Sequence, residues 1–397
     1  MTVLTGADRV VADPSLVQGR RWGLATNCTG VTAGLRRTSV ALTTAGAPLR
    51  AILGPEHGTR GTVQAGSSEA NEVDSETGLP VYDTYLRTGV ALDDMLERAG
   101  IDVLLVDLQD IGVRFYTYAW TMVDCVRSAG RIGLPVVVLD RPNPLRGMDV
   151  EGAVLDPAFA SFVGRSPIAQ RHGLTIGELA LVVKDADAVV SGRPGADLSV
   201  VEMTGWDRTM WWADTGLHWV PPSPNIPTPE TALIYAGTGL VEGTNLSEGR
   251  GTTRPFELIG APWVDRRFAL ALNRLGLPGV LFRETWFCPT FDKYAGQVVA
   301  GVQVHVTDRA AFEAVRTAVC LVDVAARLYP GQFAWRLSDQ GDDAPAGNGG
   351  SGALGKSTPF IDRLWGSDTL RRAVDAGDDP LGLVPPLSRV PSGTLLY

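Results

Sequence analysis

The stretch DVLLVDLQDIGVRFYTYAWTMVDCVRSAGRIGLPVVVLD, residues 102–140, holds two apolar runs with a helical pattern between them. Val103 to Leu108 (VLLVDL) and Pro135 to Leu139 (PVVVL) are near-continuous and rich in Val and Leu. Such runs mark parallel strands buried on both faces. Between them Phe115, Ala119, Met122, Val126 and Ala129 recur at steps of four and three, which predicts a helix over Arg114–Ala129 with one core-facing stripe. Strand, helix, strand is a βαβ unit with a right-handed crossover, so the chain is read as α/β with a parallel sheet.

The flanking sequence extends this pattern. Trp22–Thr26 (WGLAT) and Leu49–Leu53 (LRAIL) read as strands, Thr175–Asp185 as a helix and Leu198–Met203 as another strand. Five prolines crowd into residues 221–229 (PPSPNIPTP). Proline neither donates to a sheet nor continues a helix, so this stretch reads as an extended connector between residues 1–220 and 230–397. Beyond it, strands are expected near Val280–Phe287 and over Val298–Val306, and a helix over Ala310–Leu328 with stripe Phe312, Val315, Val319, Val322 and Ala326. Residues 341–355, rich in Gly, Asp and Pro, read as a loop, and Phe360–Ala376 as a last helix.

Composition excludes some functions. Across 397 residues, Lys+Arg is 35 against 44 Asp+Glu, a net charge of −9. A chain without a basic surface cannot release counterions from nucleic acid or bind anionic membrane, so neither partner is expected. The N-terminus has no basic segment followed by an apolar one, and no stretch reaches the ~20 apolar residues that span a bilayer. A cytoplasmic location is therefore expected. Cys28, Cys125, Cys288 and Cys320 are scattered without a CxxC and read as small buried apolar residues rather than disulfides or zinc ligands.

Ligands of open α/β sheets bind beyond the carboxyl ends of the strands. There this chain carries Asn27, then Glu56-His57, then Gln109, Asp110 and Arg114, then Asp140, Arg141 and Asn143. Taken singly, Asp110 caps a helix and Asp140 anchors a turn. Taken together, charged groups on one sheet edge need water or a ligand. Glu56 stands out, because Gly and Pro around it bend the chain. A carboxyl group in a partly apolar cleft favours its protonated form and can act as a general acid. The alternative for Glu56 is a loop carboxylate paired with Arg60. A second polar cluster, Glu242, Asn245, Glu248, Arg250 and Arg254, lies in a Gly-rich loop that suits close approach of a polar ligand or, alternatively, is a solvated ionic loop. Arg171-His172 is a weaker signal. Trp206, Trp211, Trp212, Trp219 and Trp263 are either sugar-stacking faces or core.

Residues 350–357 match the phosphate-binding pattern GxxxxGK[ST], but a hydrophilic stretch precedes them and Pro359 follows, where the mechanism needs a buried strand and a helix. No GxGxxG follows the first strand, and HExxH and GxSxG are absent. His57, His172, His218 and His305 have no metal-ligand spacing. No metal or organic cofactor is expected.

Several stretches resemble the exo-β-N-acetylmuramidases, the NamZ-like glycoside hydrolases once catalogued as a bacterial domain of unknown function. They are GPEHGTRG (54–61), TGLPVYDTY (77–85), DVLLVDLQDIGVRFYTY (102–118), VVVLDRPNPLRG (136–147), EGAVLD (151–156), SFVGRSPIAQRHGLTIGELA (161–180), PPSPNIPT (221–228), LVEGTNLSEGRGTTRPFELIGAPW (240–263) and FIDRLWGSDTLRR (360–372). In order, they cover nearly the whole chain. The resemblance implies a Rossmann-like N-terminal domain, a smaller C-terminal α/β domain and an active site in the cleft between them. It also implies release of N-acetylmuramic acid from the non-reducing end of peptidoglycan fragments, in cell wall recycling, with Glu56 as the general acid.

Glycoside hydrolysis usually needs a second carboxylate as nucleophile or base. Glu242 is the preferred candidate, with Asp140 and Glu248 as rivals. The lactyl carboxylate of muramic acid calls for an arginine fork, from Arg114, Arg141, Arg171 or Arg250. His57, Gln109, Asp110, Asn143, His172 and Asn245 are candidates to hydrogen-bond hydroxyls and the acetamide, and Arg60 and Tyr116 complete the substrate-binding set. The alternative is a non-catalytic muropeptide-binding or sensor protein.

Overall fold

The continuous apolar runs become the centre of a seven-stranded sheet. Its strands in chain order are β1 (Trp22–Thr26), β2 (Leu49–Gly54), β3 (Glu72–Val73), β4 (Pro80–Asp83), β5 (Val103–Asp107) and β6 (Val136–Leu139), joined, after a separate short strand β7 (Asp149–Val150), by β8 (Leu198–Val201). A computed structural model describes residues 2–62, 72–192, 195–337, 358–390 and 395–397. The strand order is β3-β4-β2-β1-β5-β6-β8, parallel throughout except for the β3–β4 edge pair. The chain starts at the centre and builds outward on both sides, as in a doubly wound fold. Alternate residues face opposite ways. Leu24, Val103, Leu105 and Leu139 pack with Val10 and Leu42 on one face. Ala25, Leu104, Val106 and Val138 enter the larger core on the other.

A smaller antiparallel sheet follows, made of β9 (Leu258–Ala261), β10 (Val280–Phe287) and β11 (Val299–Val306) in the order β10-β11-β9. One continuous core runs from Val106 and Met122 through Leu233 and Val319 to Leu364, so the two sheets share their interior. The last strand, β12 (Ser388–Arg389), returns to pair with β7. The helix Pro229–Thr238 packs on the helix Ala314–Leu328 through Gly237, where an added Cβ would lie 1.8 Å from the Ala314 carbonyl oxygen. Gly237→Ala is expected to destabilise the fold by roughly 3 kcal/mol, because backbone cannot yield as a flexible side chain can. Urea unfolding measures the loss.

Several boundaries differ from the sequence expectation. The helix read over 114–129 runs from Tyr118 to Ile132 and stops at Gly133, whose φ of 70° is left-handed. Residues 114–117 form a turn instead, held by Arg114 N–H donating to the Gln170 carbonyl and Tyr116 N–H to that of Val113. The helix read over 175–185 continues to Ser191, with Thr175 and Glu178 closing a capping box at its start. The helix read from 310 begins at Ala314. The last helix is two, Phe360–Trp365 and Thr369–Ala376, split at Gly366 with φ 92°. The proline-rich stretch leads straight into the helix at Pro229, capped by Thr228. Cys125 and Cys320 are buried as expected, but Cys288 is exposed and Cys28 is partly so. The loop read at 341–355 and the GxxxxGK[ST] match at 350–357 lie outside the described residues. Among the described residues, no helix is long and apolar enough to cross a membrane.

Candidate active site

Because β2, β1, β5 and β6 are parallel neighbours, the polar residues that follow them emerge along one sheet edge. Against this edge lies a cavity of about 580 Å³, within the range of about 300–1,000 Å³ typical of small-molecule sites. Its wall combines Glu56, His57 and Phe115–Thr117 from the large-sheet side, Ser223 and Ile226 from the proline-rich stretch, and Tyr235, Glu242, Arg250 and Lys293 from the following part.

Glu56 stands where β2 ends. Gly58 N–H donates to the Pro55 carbonyl, and His57 and Gly58 both have left-handed backbone, φ 69° and 75°. This tight turn aims the Glu56 and His57 side chains inward, and both are buried. The Thr117 hydroxyl donates to Glu56 Oε2 at 2.5 Å. Thr117 therefore belongs to the site because residues 114–117 leave the helix. Two further wall residues, Phe256 and Asp292, are also left-handed, φ 63° and 67°. Such positions cost about 1–3 kcal/mol each and persist where the surroundings over-determine them.

Glu242 sits in the 3-10 turn Gly239–Gly243. Small residues are required there: a Cβ on Gly239 would meet Phe115 Cε2 at 2.4 Å and one on Gly243 would meet Ile361 Cα at 2.7 Å. Arg250 donates to Glu242 Oε1 through Nη2 at 2.6 Å and lies 3.3 Å from Glu248 Oε1. Lys293 Nζ donates to Glu248 Oε2 at 2.9 Å and to the carbonyls of Leu246 and Val241. Burial, together with the neighbouring Glu248, raises the Glu242 carboxyl above its ordinary range, although Arg250 opposes this. Burial works the same way on Glu248, but Lys293 and Arg250 hold that carboxyl below its ordinary range. Tyr235, buried beside Glu242 and Glu56, is pushed well above the ordinary phenol range and stays a neutral donor.

The cavity wall brings together Glu56, His57, Tyr116, Glu242 and Arg250 of the residues singled out in the sequence. The others are engaged elsewhere. Arg60 is exposed and pairs with Glu72 at 3.0 Å. Gln109 donates to the Asp110 and Pro142 carbonyls. Asp110 accepts from Gly112 N–H and lies 3.4 Å from His172 Nε2, while His172 Nδ1 accepts from Leu174 N–H. Asn143 brackets its own turn, donating to Leu174 O and accepting from Leu145 N–H. Asp140 receives Gly177 N–H, the Thr175 hydroxyl and the Tyr397 hydroxyl, each at 2.8 Å. Arg141 pairs with Asp107 at 2.6 Å, and Arg171 with Glu151 and Asp149. Arg114 is wholly buried and donates to four backbone carbonyls. Burial pushes its guanidinium down to about 9, which leaves it cationic at neutral pH. Asn245 spans Gln332 O and Ala334 N–H, and Glu248 lies behind Arg250. Among the described residues none of the five tryptophans lines the cavity, and its aromatic surface is Phe and Tyr.

Some wall residues were not singled out. Tyr85, Phe162, Ser223 and Phe360 fall inside the stretches that carry the family resemblance, which was the available signal. Tyr235, Phe291, Lys293 and Arg336 fall outside them. Among the described residues, no group of three or more His, Cys, Asp or Glu is placed to hold a metal ion.

A doubly wound α/β frame with the Glu56 and Glu242 carboxylates on the wall of one sugar-sized cavity has the groups that acid–base cleavage of a glycosidic bond requires, and the protein is a glycoside hydrolase. The chain belongs to the exo-β-N-acetylmuramidase NamZ family: residues 22–230 match its N-terminal domain model and residues 233–385 its C-terminal one. The peptidoglycan β-N-acetylmuramidase NamZ of Bacillus subtilis (strain 168) is 46% identical over 350 residues, covering 87% of this chain and 83% of that protein. The crystal structure of a DUF1343 family protein from Bacteroides fragilis NCTC 9343 superposes with a TM-score of 0.80 at 35% identity, covering 94% of this chain and 91% of that one. A second DUF1343 protein from the same organism gives 0.72 at 27% identity, over 96% and 92%.

Proposed function

We propose that this protein is an exo-acting glycoside hydrolase that releases N-acetylmuramic acid from the non-reducing end of peptidoglycan fragments such as MurNAc-GlcNAc. The observation that carries this reading is the single cavity on whose wall Glu56 and Glu242 both stand. Glu56 protonates the leaving oxygen, and Glu242 serves as nucleophile or as base for water. Asp140 and Glu248, the rivals for the second role, are not on the wall. Residues 1–220 and 230–397 supply the two sides of the cleft, and the connector 221–229 contributes Ser223 and Ile226 between them. We place the protein in the cytoplasm, whose reducing conditions suit four cysteines that are not joined in disulfides, and cell fractionation checks this.

The test is turnover of a chromogenic β-N-acetylmuraminide against the matching β-N-acetylglucosaminide. Cleavage of the muraminide alone is the expected result. Binding of the disaccharide by calorimetry without cleavage of either substrate would replace the enzyme with a binding protein.

The electrostatics of Glu242 set a pH dependence. As nucleophile or base it must be ionised, and its carboxyl lies above the ordinary value of 4.5. The acid limb of the kcat/KM profile is therefore expected above that value. Arg250→Gln removes the cation that opposes the rise, so the limb moves to still higher pH. A limb that moves to lower pH would refute the role given to Glu242.

A further inference from the structure

We infer that Phe291 is the platform for the second sugar of the substrate, the ring on the reducing side of the bond that is cut. This rests on the function proposed above. The cavity has a closed end and an open one. Glu56, His57, Tyr116, Tyr235 and Phe256 are buried in its wall. Among the described residues of that wall, Phe291 and Asp292 are the exposed ones, Phe291 at 38%. A chain cut from its non-reducing end enters with that end first. The N-acetylmuramic acid ring therefore fills the closed end, and the rest of the chain leaves past Phe291.

Phe291 lies in the segment between β10 and β11, and that segment is anchored on both sides of it. Thr290 donates to the Gly251 carbonyl through its N–H and its hydroxyl, each at 3.0 Å. Gly251 has left-handed backbone, φ 77°, and an added Cβ there would lie 2.7 Å from the Phe291 nitrogen, so the two main chains are in contact. Beyond Phe291, Lys293 Nζ donates to Glu248 Oε2 at 2.9 Å, and the Tyr294 hydroxyl donates to the Asn245 carbonyl at 2.7 Å. Gly296 N–H closes the segment onto the Pro289 carbonyl at 2.8 Å. Phe291 is thus held against the same Gly-rich loop that carries Glu242 and Arg250.

The aromatic rings of the closed end serve one another. Tyr235 meets Phe115, Tyr116 and Phe256 edge-on, with centroids 5.2, 6.3 and 4.5 Å apart. Phe291 takes no part in that cluster and meets solvent instead. A β-linked glucosamine ring carries its substituents equatorially. Each of its faces therefore presents axial C–H bonds, while the hydroxyls point outward around the rim. The C–H bonds pack on the negative face of an aromatic ring, and both apolar surfaces leave water. The rim hydroxyls stay free to bond water or a polar neighbour, and Asp292 adjoins the platform.

The test compares MurNAc-GlcNAc with methyl β-N-acetylmuraminide, which has no second ring, in the wild type, Phe291→Ala and Phe291→Tyr. Both substrates lose an alkoxide, so the chemistry is matched. The wild type is expected to show KM about tenfold lower for the disaccharide, the scale of burying one aromatic face. Phe291→Ala is expected to bring the two KM values together, with a smaller effect on kcat. Phe291→Tyr keeps the ring and should keep the ratio near that of the wild type. Thermal unfolding of each variant shows that the fold persists. Equal KM values in the wild type, an undiminished ratio in Phe291→Ala or a lost ratio in Phe291→Tyr overturns the inference while the proposed activity stands. If the wild type cleaves neither substrate, both fall.

Discussion

Glu56→Gln is expected to lower kcat on MurNAc-GlcNAc by about 10³–10⁴, toward the upper end of what general acid–base catalysis contributes. The loss should be much smaller on a nitrophenyl muraminide. The reason is the leaving group: a sugar alkoxide must be protonated as it departs, whereas nitrophenolate leaves without help. Glutamine keeps the volume and an amide oxygen that can still accept the Thr117 hydroxyl, so the turn after β2 should hold. Glu242→Gln makes the contrast, because a missing nucleophile or base slows both substrates alike. Measuring kcat for the two variants on the two substrates assigns the roles. A Glu56→Gln variant equally impaired on both would exchange the roles of the two carboxylates, and full activity would remove Glu56 from the chemistry.

The second large effect is on stability. Arg114 donates to Ala153 O at 2.7 Å, Ile168 O at 2.9 Å, Leu364 O at 2.9 Å and Trp365 O at 2.8 Å. The last two carbonyls are at the end of the helix Phe360–Trp365, where the Gly366 turn leaves them without helical partners. One side chain thus ties the loops beside the large sheet to the C-terminal helices. Arg114→Met would take a donor from all four carbonyls; Ile168 O keeps the Leu155 N–H and Leu364 O keeps the Gln170 amide, but the bonds to Ala153 O and Trp365 O are lost outright, each worth about 1–3 kcal/mol. Such losses are not additive, but about 4 kcal/mol or more is expected. That is a large share of the roughly 5–15 kcal/mol by which domains are stable. Urea denaturation should show it, with Arg114→Lys partly restored. A stable Arg114→Met protein with KM raised only for muramic acid would return Arg114 to the substrate-binding set.

Arg114 and Glu56 also show how far the sequence could be read. Both follow buried strands at the same sheet edge, and both are ionisable groups in bent, Gly-containing segments. Glu56 faces the cavity because the left-handed pair His57-Gly58 turns it inward. Arg114 faces the interior because carbonyls 250 and 251 positions away in the chain await it. The helix read over 114–129 failed at its first turn for the same reason. Periodicity placed Phe115 on the stripe, but long-range hydrogen bonds pulled residues 114–117 out of the helix and made Phe115, Tyr116 and Thr117 part of the cavity wall.

What the sequence determined by itself was the parallel sheet, the edge at which polar groups would gather, and the family. Continuous apolar runs can be buried only between two layers, and residues that follow parallel strands must share an edge. Both are local or pairwise consequences of composition. Which of those polar groups meet a substrate was decided by the tertiary structure alone. Asp140, Arg141, Asn143 and Arg171 satisfy buried partners that come together only on folding. Lys293 and Arg336 enter the site from segments with no local signature. A buried polar group must be paired wherever its partner lies, and along this chain the partners are too distant for any local pattern to announce them.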